Sequence, residues 1–344
     1  MTYAIPAPQL IAPDSVPALR WGVVGTGIAD KFVNAIHAHT TQRAVAVTAR
    51  DAAKTQAFAD AHGIPTVYAT LDEMLADSAI DVIYVATPHP LHREQALAAI
   101  AAGKHVLIEK PIAMSADEAR EITDAGRAAG VLVAEAMWTR YLPQADVIRQ
   151  VLASGVLGDV QLVRADFGFA MPWLPEHRLW NPDLGGGAML DAGVYPVSFA
   201  SSVIGAPSSI TAIGVVAETG VDASANILIA TEAGPQAVLS TTLLASMPVT
   251  ATIHGRTGRL DVLSPFFGPT GITVTTGALG DEQTVTWRDE ALDVLHDGLG
   301  YQATAFASFV AAGLVESPVH PHHEIVSVMA TIDEVRRQVT PSAV

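Results

Sequence analysis

The feature that most constrains the fold of this chain is a change of texture near residue 140. Before it, short β-branched or apolar runs alternate with alanine-rich stretches of helical character. The runs are Trp21–Val24, Ala44–Thr48, Val82–Ala86, His105–Ile108 and Val131–Ala134, and segments such as Ala52–His62 and Arg93–Ala102 lie between them. Strands spaced by helices imply βαβ units and a parallel sheet covered on both faces. Beyond residue 155 the strand-like segments crowd together: Val160–Phe167, Ser209–Val216, Ala225–Thr231, Gln236–Leu244, Val249–His254, Arg259–Val262, Gly271–Thr275 and Gln283–Trp287. Closely spaced, alternating segments of this kind predict a largely antiparallel sheet. Helical texture returns from Tyr301.

The expected fold is therefore α/β. A Rossmann-type doubly wound parallel sheet occupies residues 20–140, and an α+β domain with a large open, mostly antiparallel sheet occupies 141–344. The C-terminal helix is free to pack back on the first domain. Residues 1–19 carry Pro6, Pro8, Pro13 and Pro17 and lack a basic stretch before an apolar core, so they read as an extended arm and not as a signal peptide. A length of 344 residues suits two domains.

Composition removes several classes of function. The formal charge of −16 disfavours binding to a phosphate backbone, so no nucleic-acid partner is expected. The chain has no cysteine, which excludes disulfides, zinc–thiolate sites, iron–sulfur clusters and thiol nucleophiles, and fits a reducing, cytoplasmic setting. Ala192–Ala217 is uncharged and long enough to span a bilayer. It is interrupted by Pro196, Pro207, three glycines and several serines, so it reads as buried strand and loop, and no membrane association is expected.

The first strand runs into Gly25-Thr26-Gly27-Ile28-Ala29, followed by helical spacing of Phe32, Val33 and Ile36. Glycines there allow a tight turn and the close approach of a pyrophosphate, which the helix N-terminus stabilises. The third glycine of the usual fingerprint is replaced by Asp30, and Ala29 offers the small contact instead. A SAM-binding Rossmann-like domain is the competing use of such a turn. The second strand ends in Ala49-Arg50, with Lys54 a turn further on. NAD sites usually place an acid at this strand end and NADP sites an arginine, so the pattern favours NADP, with NAD possible. A solvated Arg50 opening a helix is the plain alternative. Asp51 reads as the N-cap of that helix.

With Ala86-Thr87-Pro88-His89-Pro90-Leu91-His92 and Glu109-Lys110-Pro111 added, the chain resembles the Gfo/Idh/MocA family of NAD(P)-dependent sugar oxidoreductases. Within it, the similarity runs to the branch of glucose–fructose oxidoreductase and dimeric dihydrodiol dehydrogenase. Glu135-Ala136-Met137-Trp138-Thr139-Arg140-Tyr141, Gly185-Gly186-Gly187-Ala188-Met189-Leu190-Asp191 through Tyr195, and Glu316-Ser317-Pro318 extend the match from residue 20 to about 338. The glycine turn departs from the family's usual form by being one residue shorter. The resemblance implies that Lys110 lies near the nicotinamide and the reacting carbon, and that Thr87, Pro88 and His92 line the cofactor. It also implies that Glu109 and Trp138 belong to the cofactor site, that Arg178 lies against NADP, and that Asp191 and Tyr195 face the substrate.

The chemistry is coherent on its own terms. Moving a hydride between an alcohol carbon and nicotinamide requires a proton transfer at the alcohol oxygen. Free tyrosine and lysine, with pKa values of about 10 and 10.4, are poor bases at neutral pH. An ammonium beside a phenol lowers the phenol's pKa. Lys110 and Tyr195 thus form a plausible acid/base pair, with Asp191 orienting substrate or lysine, and a helix would put Asp191 and Tyr195 on one face. Taken singly, each would read as a solvated surface residue. Trp138, Tyr141, Trp173 and Trp180 could stack on a sugar ring or equally serve as core. The run His320-Pro321-His322-His323-Glu324 reads as polar helix entry, and no metal site is expected.

The sequence therefore points to an NADP-dependent oxidoreductase acting on C–OH/C=O of a sugar, anhydrosugar or cyclic diol. A non-catalytic nucleotide-binding sensor on the same fold is the alternative. Long uncharged stretches such as Ala233–Ile253 also suggest a homodimer, or a dimer of dimers, joined through the open sheet face.

Overall fold

The computed structural model describes residues 3–291 and 294–340. Residues 1–2 of the expected arm, residues 292–293, and residues 341–344 of the expected tail lie outside the described residues. Two compact units make up the chain. One comprises residues 10–142 and 292–326, the other residues 1–9, 143–291 and 327–344.

The first unit is built on β1 (Arg20–Val24), α1 (Ala29–His39), β2 (Arg43–Thr48), α2 (Ala52–His62), β3 (Thr66–Val67), α3 (Leu71–Ala76), β4 (Val82–Val85), α4 (His92–Ala101), β5 (His105–Ile108), α5 (Ala116–Ala129) and β6 (Val133–Glu135). The strand order is β3-β2-β1-β4-β5-β6, and each neighbouring pair is parallel. Val82–Val85 are buried throughout, as a strand covered by helices on both faces must be. The α1 stripe of Phe32, Val33 and Ile36 is buried, with Phe32 against Trp21 on one side and stacked 4.0 Å from Tyr84 on the other.

Two local differences from the sequence reading have simple causes. Strand β3 is two residues long, too short to present a period, and α3 is announced only by the capping box of Thr70 and Glu73. Strand β6 starts at Val133 and not at Val131. Gly130 ends α5 in the left-handed conformation, and the Val131 N–H turns back to the Gly126 carbonyl, so these residues close the helix.

Residues 292–326 return to the first unit. Phe306 of α8 (Leu299–Ala311) packs 5.3 Å from Trp21, and the Val133 N–H donates to the Val315 carbonyl. The proline-rich segment divides between the units. Pro13 and Pro17 carbonyls accept from Thr41 and Gln42, whereas Gln9 donates to Asp146 and the Ala7 carbonyl accepts from Gln150. These polar contacts and the Trp21–Phe306 packing join segments far apart in the chain, which local sequence does not show.

The second unit holds α6 (Pro143–Ala153), β7 (Val160–Gly168), α7 (Val194–Ile204) and the strands β8 (Ser209–Val216), β9 (Asp222–Ala230), β10 (Gln236–Thr242), β11 (Ala251–Gly255), β12 (Gly258–Val262), β13 (Gly271–Thr276) and β14 (Gln283–Arg288). They form one sheet in the order β14-β13-β12-β11-β7-β10-β9-β8. Its pairs are antiparallel except β7–β10. One face carries the core residues Ala212, Ile227, Leu239, Val163, Ile253, Leu260 and Val274. On the other, the register aligns Ile213 with Asn226, Thr211 with Leu228 and Thr273 with Thr286, and Ile213, Val215 and Leu228 are exposed. Helix α9 (His322–Val339) contributes residues to both units.

Among the described residues, no helix is long and apolar enough to cross a membrane.

Candidate active site

In the first unit, β1 pairs with both β2 and β4, so the chain reverses its direction of winding at β1. A crevice for a ligand opens at the carboxyl end of the sheet at such a switch point. Gly25 occupies this position with φ +100°, and a Cβ there would lie 2.6 Å from the Ala86 carbonyl oxygen. Only glycine fits, for both conformational and steric reasons. At Gly27 a Cβ would meet nothing within 4 Å, leaving the turn open on that side. Thr26 is half-buried, Ile28 is exposed, and Ala29 is buried against the fold. Helices α2, α3 and α5 are capped by the side chains of Asp51, Thr70 and Ser115, whereas α1 has no side-chain cap. Open space over Gly27 and an uncapped helix start fit the negative charge of a pyrophosphate.

At the end of β2, Asp51 caps α2 by accepting from the Lys54 N–H, as its sequence position suggested. The Lys54 ammonium lies 3.8 Å from the same carboxylate. Arg50, beside Ala49, is exposed and pairs with nothing among the described residues. Asp30, in the place of the third glycine, holds Lys31 at 3.0 Å and His62 at 3.1 Å. The Lys31 hydrogen bond keeps its carboxyl below the usual range.

The β4 and β5 ends are tied together by His92. Its ring lies between the Thr87 carbonyl at 2.8 Å and the Pro111 carbonyl at 2.9 Å, and the residue is 0% exposed. The ring thereby braces the two backbone turns beside the crevice. Thr87 donates its hydroxyl to Gln95, and Pro88 precedes the short turn His89–Leu91. Glu109 is likewise buried. It accepts from the Tyr84 hydroxyl and the Lys110 N–H, and burial pushes its carboxyl up. Lys110 follows at the mouth of β5 and is half-buried.

At the end of β6, Glu135 accepts from the Ile112 N–H at 2.8 Å and faces His320 Nε2 at 2.8 Å. His320 Nδ1 lies 3.6 Å from Glu324, which also pairs with Arg140. Burial pushes Glu324 up, but His320 and Arg140 outweigh it and hold the carboxyl at about 2. His320 and Glu324 thus join Glu135 and Arg140 in a polar network behind the Lys110–Ile112 segment, a role their sequence did not disclose, while His323 is exposed. Among the described residues, no group of three or more His, Asp or Glu side chains is arranged to hold a metal. Trp138 is buried and lies 6.3 Å from the His296 ring, and the Tyr141 hydroxyl donates to Ser317.

In the second unit, Arg178 Nη1 donates to Asp191 Oδ1 at 2.9 Å. Asp191 lies in a π-helical turn, Met189–Gly193, and Tyr195 lies in the first turn of α7. The four-residue spacing therefore crosses a π-helical turn and not a regular helix, a distortion common at functional sites. The Tyr195 ring packs 5.6 Å from Phe167 and 5.2 Å from Phe267. Trp180 is buried and donates to the Pro172 carbonyl, and the exposed Trp173 packs edge-on against it. Asp222, absent from the sequence reading, is buried behind the triple glycine and accepts the Met189 N–H.

Comparison with known proteins places the family and the fold. The family model described as oxidoreductase family, NAD-binding Rossmann fold, matches residues 19–137. That described as GFO/IDH/MocA C-terminal domain matches residues 145–261. The chain is 36% identical over 329 residues to a trans-1,2-dihydrobenzene-1,2-diol dehydrogenase of Xenopus laevis, covering 93% of this chain and 98% of the relative. It is 34% identical over 327 residues to the enzyme of that name from Mus musculus, covering 94% and 97%. A crystal structure of a 3-ketoreductase from Actinomadura kijaniata with NADP and TDP-benzene is similar at a TM-score of 0.80 and 27% identity, covering 94% of this chain and 98% of the other.

Proposed function

This chain belongs to the GFO/IDH/MocA family of oxidoreductases, and we propose that it transfers hydride between NADP and a C–OH/C=O carbon of a sugar, anhydrosugar or cyclic diol. The observation that carries this reading is the placement of Lys110 at the carboxyl edge of the sheet that presents the open, uncapped glycine turn. Relatives whose names specify a diol dehydrogenase and a ketoreductase narrow the substrate to a ring bearing hydroxyl or keto groups.

The residues divide the work as follows. Gly25, Thr26, Gly27, Ile28 and Ala29 admit the pyrophosphate to the start of α1. Arg50, exposed and without an ion-pair partner among the described residues, meets the 2′-phosphate, with Ala49 leaving room and Lys54 adding charge. When bound, the nicotinamide supplies the hydride acceptor or donor. Lys110 and Tyr195 exchange the proton of the substrate oxygen as one acid/base unit, and Asp191 orients the substrate or the lysine. Thr87 and Pro88 shape the crevice wall, and Trp138 and Tyr141 border the space for the ring. The cysteine-free composition fits a cytoplasmic enzyme, and the exposed apolar patch at Ile213 and Leu228 fits a homodimer joined through the open sheet face.

A screen of aldoses, deoxy-keto sugars and dihydrodiols, read as nicotinamide absorbance, tests the proposal. Turnover with at least one class and a preference for NADP is expected. Cofactor binding with no turnover across all classes would instead leave a nucleotide-binding sensor.

A further inference from the structure

The triple glycine and the turn after it are held by a single buried carboxylate. Asp222, the first residue of β9, is 2% exposed. Its Oδ2 accepts the Met189 N–H at 2.6 Å, at the start of the π-helical turn that carries Asp191. A Cβ on Gly187 would lie 2.4 Å from Asp222 Oδ1, so the backbone passes directly against the carboxylate, with φ +119°. A Cβ on Gly186 would lie 2.7 to 2.8 Å from the carbonyl oxygens of Leu179, Arg178 and Asn181, and Asp191 donates its N–H to the Gly187 carbonyl. From Arg178 to Asp191 the segment is therefore one packed piece seated on Asp222.

We propose that Asp222 is a positioning residue for the hydride-transfer site: its ionised carboxylate seats the turn that presents Asp191 and Tyr195, and protonation loosens it. This rests on the reading of Asp191 and Tyr195 given above. The charged group facing Asp222 is Arg336 of α9, with Nε 3.9 Å from Oδ1, while the π-helical turn faces it with the backbone of Ala188 and Met189. Burial raises the Asp222 carboxyl to about 6, against the pull of Met189 and Arg336. The Ala188 and Met189 N–H groups both point at the carboxylate and Arg336 faces it as well, so the ionised form satisfies donors that an asparagine amide, with its one acceptor oxygen, would not. A hydrogen bond to an ionised acceptor is roughly twice as strong as one between neutral groups, and the ionised form alone also draws Arg336.

Asp222→Asn tests this directly. Expected is a fall of about tenfold in kcat at alkaline pH, reflecting the loss of one charge-assisted bond, with KM for NADP unchanged. Wild-type kcat should decline by a similar factor on acidification through pH ~6, and the variant should sit at that lower value throughout. Wild-type kcat with an intact acid limb in Asp222→Asn would overturn the proposal. A second readout is the amide resonance of Met189 in the wild-type protein. A titration with a midpoint near that pH supports the anchor even if the variant fails to fold, and an amide that does not move overturns it. Should the wild-type protein transfer no hydride at all, the reaction assigned above fails, and the Met189 titration alone judges Asp222.

Discussion

Arg178 and Asp191 form an ion pair at 2.9 Å, the arginine half in solvent and the aspartate mostly covered. The family resemblance put Arg178 against NADP, but its guanidinium is engaged with the residue expected to face the substrate. Arg178→Gln should therefore raise KM for the substrate severalfold and leave the NADP-to-NAD preference as it was. Steady-state kinetics with both cofactors decide the matter, and a loss confined to NADP would return Arg178 to the nucleotide.

Arg50 has the opposite standing, exposed at the end of β2 and without an ion-pair partner among the described residues. A charge-assisted contact to the 2′-phosphate contributes about 1.5–3 kcal/mol, or on the order of 10- to 100-fold in affinity. Arg50→Ala should weaken NADP by that factor and leave NAD nearly unchanged, measured by titration of each cofactor. Equal losses for both would make Arg50 structural.

Lys110→Met and Tyr195→Phe should each lower kcat by about 10² to 10⁴, the usual contribution of a general acid–base group. Acting as one unit, the two should give a double mutant far less impaired than the product of the singles. Strictly multiplicative losses would separate their roles, and near-normal kcat in Tyr195→Phe would remove the tyrosine from the reaction.

Asp222 and Glu324 should move stability in opposite directions with pH. The Asp222 carboxyl is raised to about 6 from 3.8, so the folded chain takes up a proton first, and stability rises as pH falls from about 6 to 4. In the wild-type protein this should appear as a gain in global stability on acidification over that range, while the local seat of the π-helical turn, which the ionised carboxylate holds, loosens. Glu324 is held at about 2, below its ordinary 4.5, so its contribution is complete above pH 4.5 and is lost as pH falls toward 2. Glu324→Gln should cost on the order of 2 kcal/mol at neutral pH, allowing for partial solvation, and nothing near pH 2. Denaturant melts across pH check both signs.

The exposed Ile213, Val215 and Leu228, at 71%, 51% and 56%, lie together on the open sheet face. Light scattering at micromolar concentration should give at least twice the chain mass of 35.9 kDa. Ile213→Lys with Leu228→Glu should reduce it to a monomer that keeps its nucleotide affinity. A monomeric wild-type protein would exclude this face as an interface.

Much of this protein is legible locally. Helix caps such as Asp51, the alternating core face of the large sheet and the Gly25 turn each depend on residues a few positions apart, where backbone conformation and side-chain period act. Hence strands β1, β2, β4 and β5 and most of the second sheet lie close to where apolar patterning places them. The glycine turn and Arg50 could be singled out from their place at strand ends, whereas Lys110 and the Asp191–Tyr195 segment are singled out through the family resemblance.

What the tertiary structure alone decided is how the buried polar groups are satisfied. Nothing around Asp222 in sequence distinguishes it from the start of an ordinary strand, since Met189 reaches it only through the packing of the triple-glycine turn. His92 also braces two backbone turns, held between the Thr87 and Pro111 carbonyls, which its place in the sequence does not disclose. Glu135 and His320 are 185 residues apart, yet they support the segment beside Lys110. Apolar burial is non-directional and is written into composition and period, so sequence determined the strands and helices. A buried charge needs a particular partner at hydrogen-bonding distance, and only the folded chain brings that partner there.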